Sequence, residues 1–171
     1  MEKEIIVNWS LIAAIIALTA VLVSVIAIWI QGRQWRIALQ TDLLIKLMEK
    51  FYNPEMRQIR KIAAEELLKE QTTDFEEIYQ LLDYFILIGS LINKKALSLE
   101  LTYTMFEYWI VRYWYCVKDH VYNLRISHKD PELFITLEKL ASKMKIYRQS
   151  RGLIPISDNE AHKFLESESK N

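Results

Sequence analysis

The chain has 171 residues, and its 22 Lys and Arg are balanced by 22 Asp and Glu, so it lacks the basic excess of a general polyanion binder. A single Cys excludes a disulfide framework. Three Gly and three Pro in a chain that is 51% hydrophobic disfavour a turn-rich β architecture and suit long helices.

The first element is Ile5 to Ile30, where no charge interrupts the sequence between Glu4 and Arg33. A membrane span needs roughly 20 apolar residues at about 1.5 Å rise each, and Leu11 to Ile30 supplies them without Pro or Gly. Trp9 and Trp29 suit the two headgroup belts, and Arg33, Trp35 and Arg36 anchor the C-terminal end. A cleaved secretory signal fits less well, because the start is acidic (Glu2, Glu4) and the apolar core is long. The basic flank at Arg33 and Arg36 places the N-terminus outside and the rest in the cytoplasm, an inner-membrane, single-pass topology. Ser10, Ala13, Ala17, Ala20, Ser24 and Ala27 alternate spacings of three and four, forming a stripe of small side chains. Close backbone approach at such a stripe supplies attraction between helices in lipid, so self-association is expected there.

About 140 residues remain, enough for one compact domain. Gln34 to Tyr52 continues without a breaker and keeps an apolar face through Ile37, Leu44, Leu47, Met48 and Phe51, so the anchor is expected to run on as one rod. Asn53-Pro54 ends it and starts a second helix to about Lys69. There Arg57, Arg60 and Lys61 read as a solvated basic face. Thr72 to Asp74 offer caps for a third helix, and its part Tyr84 to Ile92 is apolar nearly all round, placing it mid-domain.

Ser98 caps a fourth helix running to about Leu124, crowded with Tyr103, Phe106, Tyr108, Trp109, Tyr113, Trp114, Tyr115 and Tyr122 around Arg112. Core packing accounts for Phe106, Trp109 and Tyr113; Tyr108 and Tyr115 are expected to meet another subunit, another protein or headgroups, and Arg112, set among rings, reads as a stacked structural cation or as a contact for an anion or partner. Asp130-Pro131-Glu132 reads as the start of a fifth helix ending near Arg148. Its basic end, Lys143, Lys145, Arg148 and Arg151, complements a helix C-terminus and suits contact with anionic lipid, phosphate or an acidic partner. Residues 150–171 read as a polar, mobile tail with a weak helical tendency around Glu160 to Leu165.

The expected organisation is therefore all-α: tail and transmembrane helix over 1–32, a cytoplasmic bundle of about four to five helices over 33–149, and the tail over 150–171. No glycine-rich phosphate loop, HExxH or nucleophile elbow is present, and His120, His128 and His162 show no ligand spacing with Cys116. Asp119-His120 is the best acid/base candidate, yet neighbours on a helix point different ways. The reading expects no enzyme, cofactor or metal.

Four segments carry a resemblance: WSLIAAIIALTAVLVSVIAIWIQ, LIKLMEKFYNPEMRQIRK, LLDYFILIGSLINKKALSLE and FEYWIVRYW. In this order, with Phe51 to Arg57 and Tyr108 to Trp114 as the most diagnostic parts, the chain resembles a family of small prokaryotic membrane proteins known only as a domain of unknown function. It is also similar in design to membrane effectors of prokaryotic antiviral systems, including those paired with short Argonautes. The stripe, the unbroken rod and the aromatic excess, together with this likeness of design, lead to the expectation of an effector or signalling subunit that touches lipid, forms a homo-oligomer and meets a cytoplasmic protein; with no net basic charge, direct binding of nucleic acid is not expected, and Lys143 to Arg151 is the segment where it would occur. Clustered spans would then disrupt the membrane in abortive-infection defence. The alternative is a passive tether that holds a soluble partner at the bilayer.

Overall fold

The structure is a computed structural model that describes residues 9–69 and 76–170, apart from the side chains of Ser10 and Leu11. The start of the span at Ile5, the Ser10 end of the small-residue stripe and the caps at Thr72 to Asp74 lie outside what is described. The described residues form six helices: α1 (Trp9–Tyr52), α2 (Pro54–Leu68), α3 (Glu76–Asn93), α4 (Leu99–His128), α5 (Ile135–Ser150) and α6 (Asp158–Glu168). The protein is all-α, with a long apolar N-terminal helix followed by a packed helical bundle.

Two compact units divide the chain, residues 1–42 and 43–171. In the first, α1 is long and apolar enough to cross a membrane, the property shared by a span and a signal sequence. Its side chains from Ile12, at 37% exposure, to Ile28, at 68%, are exposed around the helix. Trp9, Trp29, Arg33, Trp35 and Arg36 are exposed as well, and so are Ala13, Ala17, Ala20, Ser24 and Ala27. The hydroxyls of Thr19 and Ser24 donate to the carbonyls of Ile16 and Ala20, both at 2.8 Å, which satisfies them within the helix.

In the second unit the last turns of α1 enter a core. Leu44, Leu47 and Phe51 are buried, as their spacing predicts, whereas Ile37, in the first unit, is exposed. Asn53 caps α2 by accepting from the Met56 amide at 2.6 Å, and Pro54 takes the first helical position where its missing N–H costs nothing. Along α3, Ile78, Leu81, Leu82, Phe85 and Ile88 are buried, which bears out the central place expected for its apolar half. Tyr84 reaches back to donate to the Leu47 carbonyl at 2.5 Å. α2 packs on α3 and α6, and α5 on α3 and α4.

Two boundaries differ from the sequence reading. α5 begins at Ile135 rather than at Asp130-Pro131. The Asp130 carboxylate does accept from the Glu132 amide at 2.9 Å, but Phe134 adopts a left-handed conformation (φ 57°) and stacks on Tyr79 at 5.9 Å, so helical continuity starts after it. The larger difference is the C-terminus. The polar tail contains α6, whose Ala161, Phe164 and Leu165 are buried against the bundle. Ser157 caps it, accepting from the Glu160 amide at 3.3 Å. Eleven residues with few apolar positions give a weak signal in isolation, because the stability of such a helix comes from docking rather than propensity.

Candidate functional site

The candidate site is built where α6 meets the aromatic helix α4. Phe106, Ile110, Tyr113 and Val117, spaced three or four apart on α4, are buried in the core, so the large side chains on the flanking positions must be covered by something else. α6 covers them. Phe164 sits edge-on to both Tyr108 and Tyr113, with ring centroids 5.4 and 4.9 Å apart. Arg112 lies over the Tyr108 ring at 4.1 Å, donates to the Tyr108 carbonyl at 3.0 Å and pairs with the Glu160 carboxylate. Tyr115 donates to Asp158 at 2.6 Å, and this bond is the main reason that its phenol is raised above its ordinary range.

Tyr108, Arg112 and Tyr115, expected at a partner surface, are thus brought together by the chain's own C-terminal helix. Tyr108 remains partly open. The acidic face that satisfies them, Asp158 and Glu160, lies more than 40 residues downstream, beyond the reach of helical periodicity.

Arg60 corrects the sequence reading directly. It was expected on a solvated basic face, but it is 5% exposed. Its guanidinium lies 4.3 Å from the Phe51 ring centroid, 5.6 Å from that of Tyr52 and 5.8 Å from that of Trp109. Glu168, at the end of α6, places a carboxylate oxygen 3.5 Å from Arg60 Nε and accepts from the Trp109 indole at 3.3 Å. Arg60 Nε and Nη1 and one Glu168 oxygen are buried without a hydrogen bond, so the charge pair is held by proximity and ring stacking more than by directed bonds. The aromatic residues beside the Asn53-Pro54 break were visible in the sequence; their partner, Glu168, was not.

The basic cluster at the end of α5 divides. Arg148 bonds the Glu107 carboxylate at 2.9 Å, lies 3.8 Å from Glu160 and donates to the Ile154 carbonyl at 3.1 Å, so it joins α4, α6 and the connecting segment. Arg151 stacks on Tyr147 at 4.8 Å and donates to its hydroxyl at 2.9 Å. Lys143 reaches Asn93 at 3.3 Å. Lys145 is exposed and lines a cleft of about 390 Å³ between α4, α5 and the 151–157 segment, with Lys118 and Trp114 on the same walls.

Asp119 also lines this cleft, while His120 meets the Tyr79 hydroxyl at 3.1 Å. Burial lowers the His120 pKa and pushes the Cys116 thiol up to about 12. A thiol so held is almost wholly protonated near neutrality, which makes it a poor nucleophile. Among the described residues no group of three or more His, Cys, Asp or Glu side chains is placed to hold a metal ion.

No curated protein and no solved structure matches the chain. Residues 14–144 match the family described as Domain of unknown function (DUF4760), a match that takes in most of the apolar helix and the bundle as far as Met144 in α5. The chain belongs to that family.

Proposed function

We propose that the protein is a membrane-anchored effector or signalling subunit. α1 crosses the inner membrane with its N-terminus outside, the bundle lies in the cytoplasm, and assembly or partner binding by the bundle clusters the spans and disturbs the bilayer. The observation that carries this reading is the exposure of α1 from Ile12 to Ile28, because apolar side chains around a whole helix require cover from lipid or from other helices. A span is favoured over a removable signal because α1 runs unbroken from Trp9 to Tyr52 and its last turns bury Leu44, Leu47 and Phe51. The exposed Ala13, Ala17, Ala20, Ser24 and Ala27 support helix association. The resemblance in design to antiviral membrane effectors supports the disruptive outcome.

The test is membrane potential and growth in cells expressing the full chain, the chain without residues 1–32, and the Ala17→Leu, Ala20→Leu, Ser24→Leu triple variant. Depolarisation is expected from the full chain alone. A triple variant that remains as toxic as the parent overturns the stripe as the means of clustering. Full activity after replacement of the span by an unrelated one identifies a passive tether instead.

A further inference from the structure

We propose that the cleft between α4, α5 and the 151–157 segment binds a nucleotide, with the base among the rings of Trp114, Tyr115 and Tyr122 and the phosphate at the ammonium groups of Lys118 and Lys145. The site belongs to the bundle alone and stands whether or not α1 crosses a membrane.

The cleft follows from side-chain size. On α5 its wall is made by Ala141 and Ser142, which are too small to fill the space beside Trp114, and about 390 Å³ is left open. That lies within the range of small-ligand sites, roughly 300–1,000 Å³. The surrounding groups are already fixed at their outer edges. The Tyr115 hydroxyl donates to Asp158 at 2.6 Å, the Tyr122 hydroxyl donates to Glu138 at 3.1 Å, and Arg148 holds the 151–157 segment by donating to the Ile154 carbonyl at 3.1 Å. Trp114 stands edge-on to Tyr122, with ring centroids 6.2 Å apart. Walls ordered in advance lose little freedom when a ligand enters.

The polar groups around the cleft divide into two sets, and the division defines the ligand. Glu138 is paired with Arg125 at 2.7 Å and Arg148 with Glu107 at 2.9 Å, so the fold has used both. Lys118, Lys145 and Asp119 form no ion pair among the described residues, and the Trp114 indole N–H has no acceptor there. Lys118 is nonetheless placed, its ammonium 4.3 Å from the Tyr115 ring centroid, while Lys145 is exposed at the rim. Two unpaired cations beside three rings select an anion that also carries a flat ring. The unpaired Asp119 carboxylate narrows the choice, because it repels a fatty acid or a plain aromatic acid but accepts from the amino group or ring N–H of a base. A nucleotide combines the ring, the donor and the anion.

The experiment is calorimetric titration of the full chain, held in nanodiscs of zwitterionic phospholipid, with AMP, GMP, adenosine, inorganic phosphate and dodecanoate. Saturable binding of AMP or GMP is expected, several-fold tighter than that of adenosine or of phosphate alone, since each of these lacks one half of the ligand. Lys118→Gln and Lys145→Gln should each weaken nucleotide binding by about tenfold, the loss of one charge-assisted hydrogen bond. Adenosine binding and the melting curve should stay unchanged in the Lys145→Gln chain, because its ammonium has no part in the fold. Asp119→Asn should alter the ratio of AMP to GMP affinity. Absence of binding by both nucleotides at millimolar concentration overturns the proposal. So does phosphate binding as tightly as AMP, nucleotide binding indifferent to the Lys118→Gln, Lys145→Gln double variant, or a cleft that takes dodecanoate and excludes both nucleotides.

Discussion

The apolar part of α1 and the aromatic part of α4 pose the same problem and meet it differently. Each carries large side chains on more than one face, so each needs cover on more than one side. Around α4 the chain supplies it: Phe51 from the end of α1, Phe85 from α3, Tyr147 from α5 and Phe164 from α6 all stand against its rings or the rings it packs with. Around Ile12 to Ile28 it does not. A run of aromatic residues bearing hydroxyls, an indole N–H and an arginine can be enclosed by polar helices, because each ring offers a handle to a carboxylate or carbonyl. A run of Ile, Val, Leu and Ala offers no such handle, and only an apolar environment satisfies it.

The comparison breaks most sharply at Glu168. Glu168→Ala leaves Arg60 buried beside Phe51 and Trp109 without its counter-charge, a change that costs about 3–5 kcal/mol when a buried pair loses one member. Thermal unfolding of the bundle, followed by circular dichroism, should shift down by roughly 10 °C for a chain of this size. Adding Arg60→Met to a Glu168→Leu chain should recover most of the loss, because an apolar pair of similar volume avoids the desolvation of two ions. An unchanged melting curve for Glu168→Ala would mean that α6 is not the cover that α4 requires.

On the other side of the comparison, Leu22→Arg places a charge at the middle of the exposed segment. If lipid surrounds α1, insertion becomes less favourable by about 2.5–3.5 kcal/mol, seen as loss of the chain from the membrane fraction. Equal membrane recovery of variant and parent would place Leu22 against protein or water instead. Within the bundle, Gly89→Ala tests how closely α3 and α5 approach: a new Cβ would lie 2.9 Å from Thr136 Cγ2 and 3.3 Å from its carbonyl oxygen. The crowding should cost about 1–3 kcal/mol. Thr136→Ser, which removes the nearer methyl but not the carbonyl, should restore part of it.

The sequence made legible whatever depends on near neighbours. The uncharged run, the Asn53-Pro54 junction and the central place of Tyr84 to Ile92 all follow from local pattern, and the structure keeps them. The aromatic excess on α4 was legible as a demand for cover, but its source was not. Arg112 and Glu160 are 48 positions apart, and Arg60 and Glu168 are farther still, so no helical spacing links them. Arg60 shows the ambiguity in physical terms: Arg, Gln, Ile and Arg again at 57–60 give no hint that the second guanidinium is buried, since its partners are rings on α1 and α4. The α5 start failed for a related reason, as the cap chemistry at Asp130 is real but the ring of Phe134 is held by Tyr79 on α3.

The smallest expected effect is a difference in pH response between the two regions. Residues 12–30 contain no titratable side chain, so protonation should not act on the span itself. In the bundle, burial lowers the pKa of His120 below its ordinary 6.5, because the charged ring is poorly solvated between α3 and α4. Below pH 6.5 the unfolded chain takes up the proton before the folded one does. The stability contributed by neutral His120 is therefore complete above 6.5 and is lost as pH falls through the window below it. The ring is only partly buried, and screening by solvent keeps the change under about 1 kcal/mol. Melting of the full chain between pH 7.5 and 5 should show a small downward shift that His120→Gln flattens. A slope unchanged by that substitution would show that His120 is not the source of the acid sensitivity, and would overturn the α3–α4 contact as a pH-responsive element of the bundle.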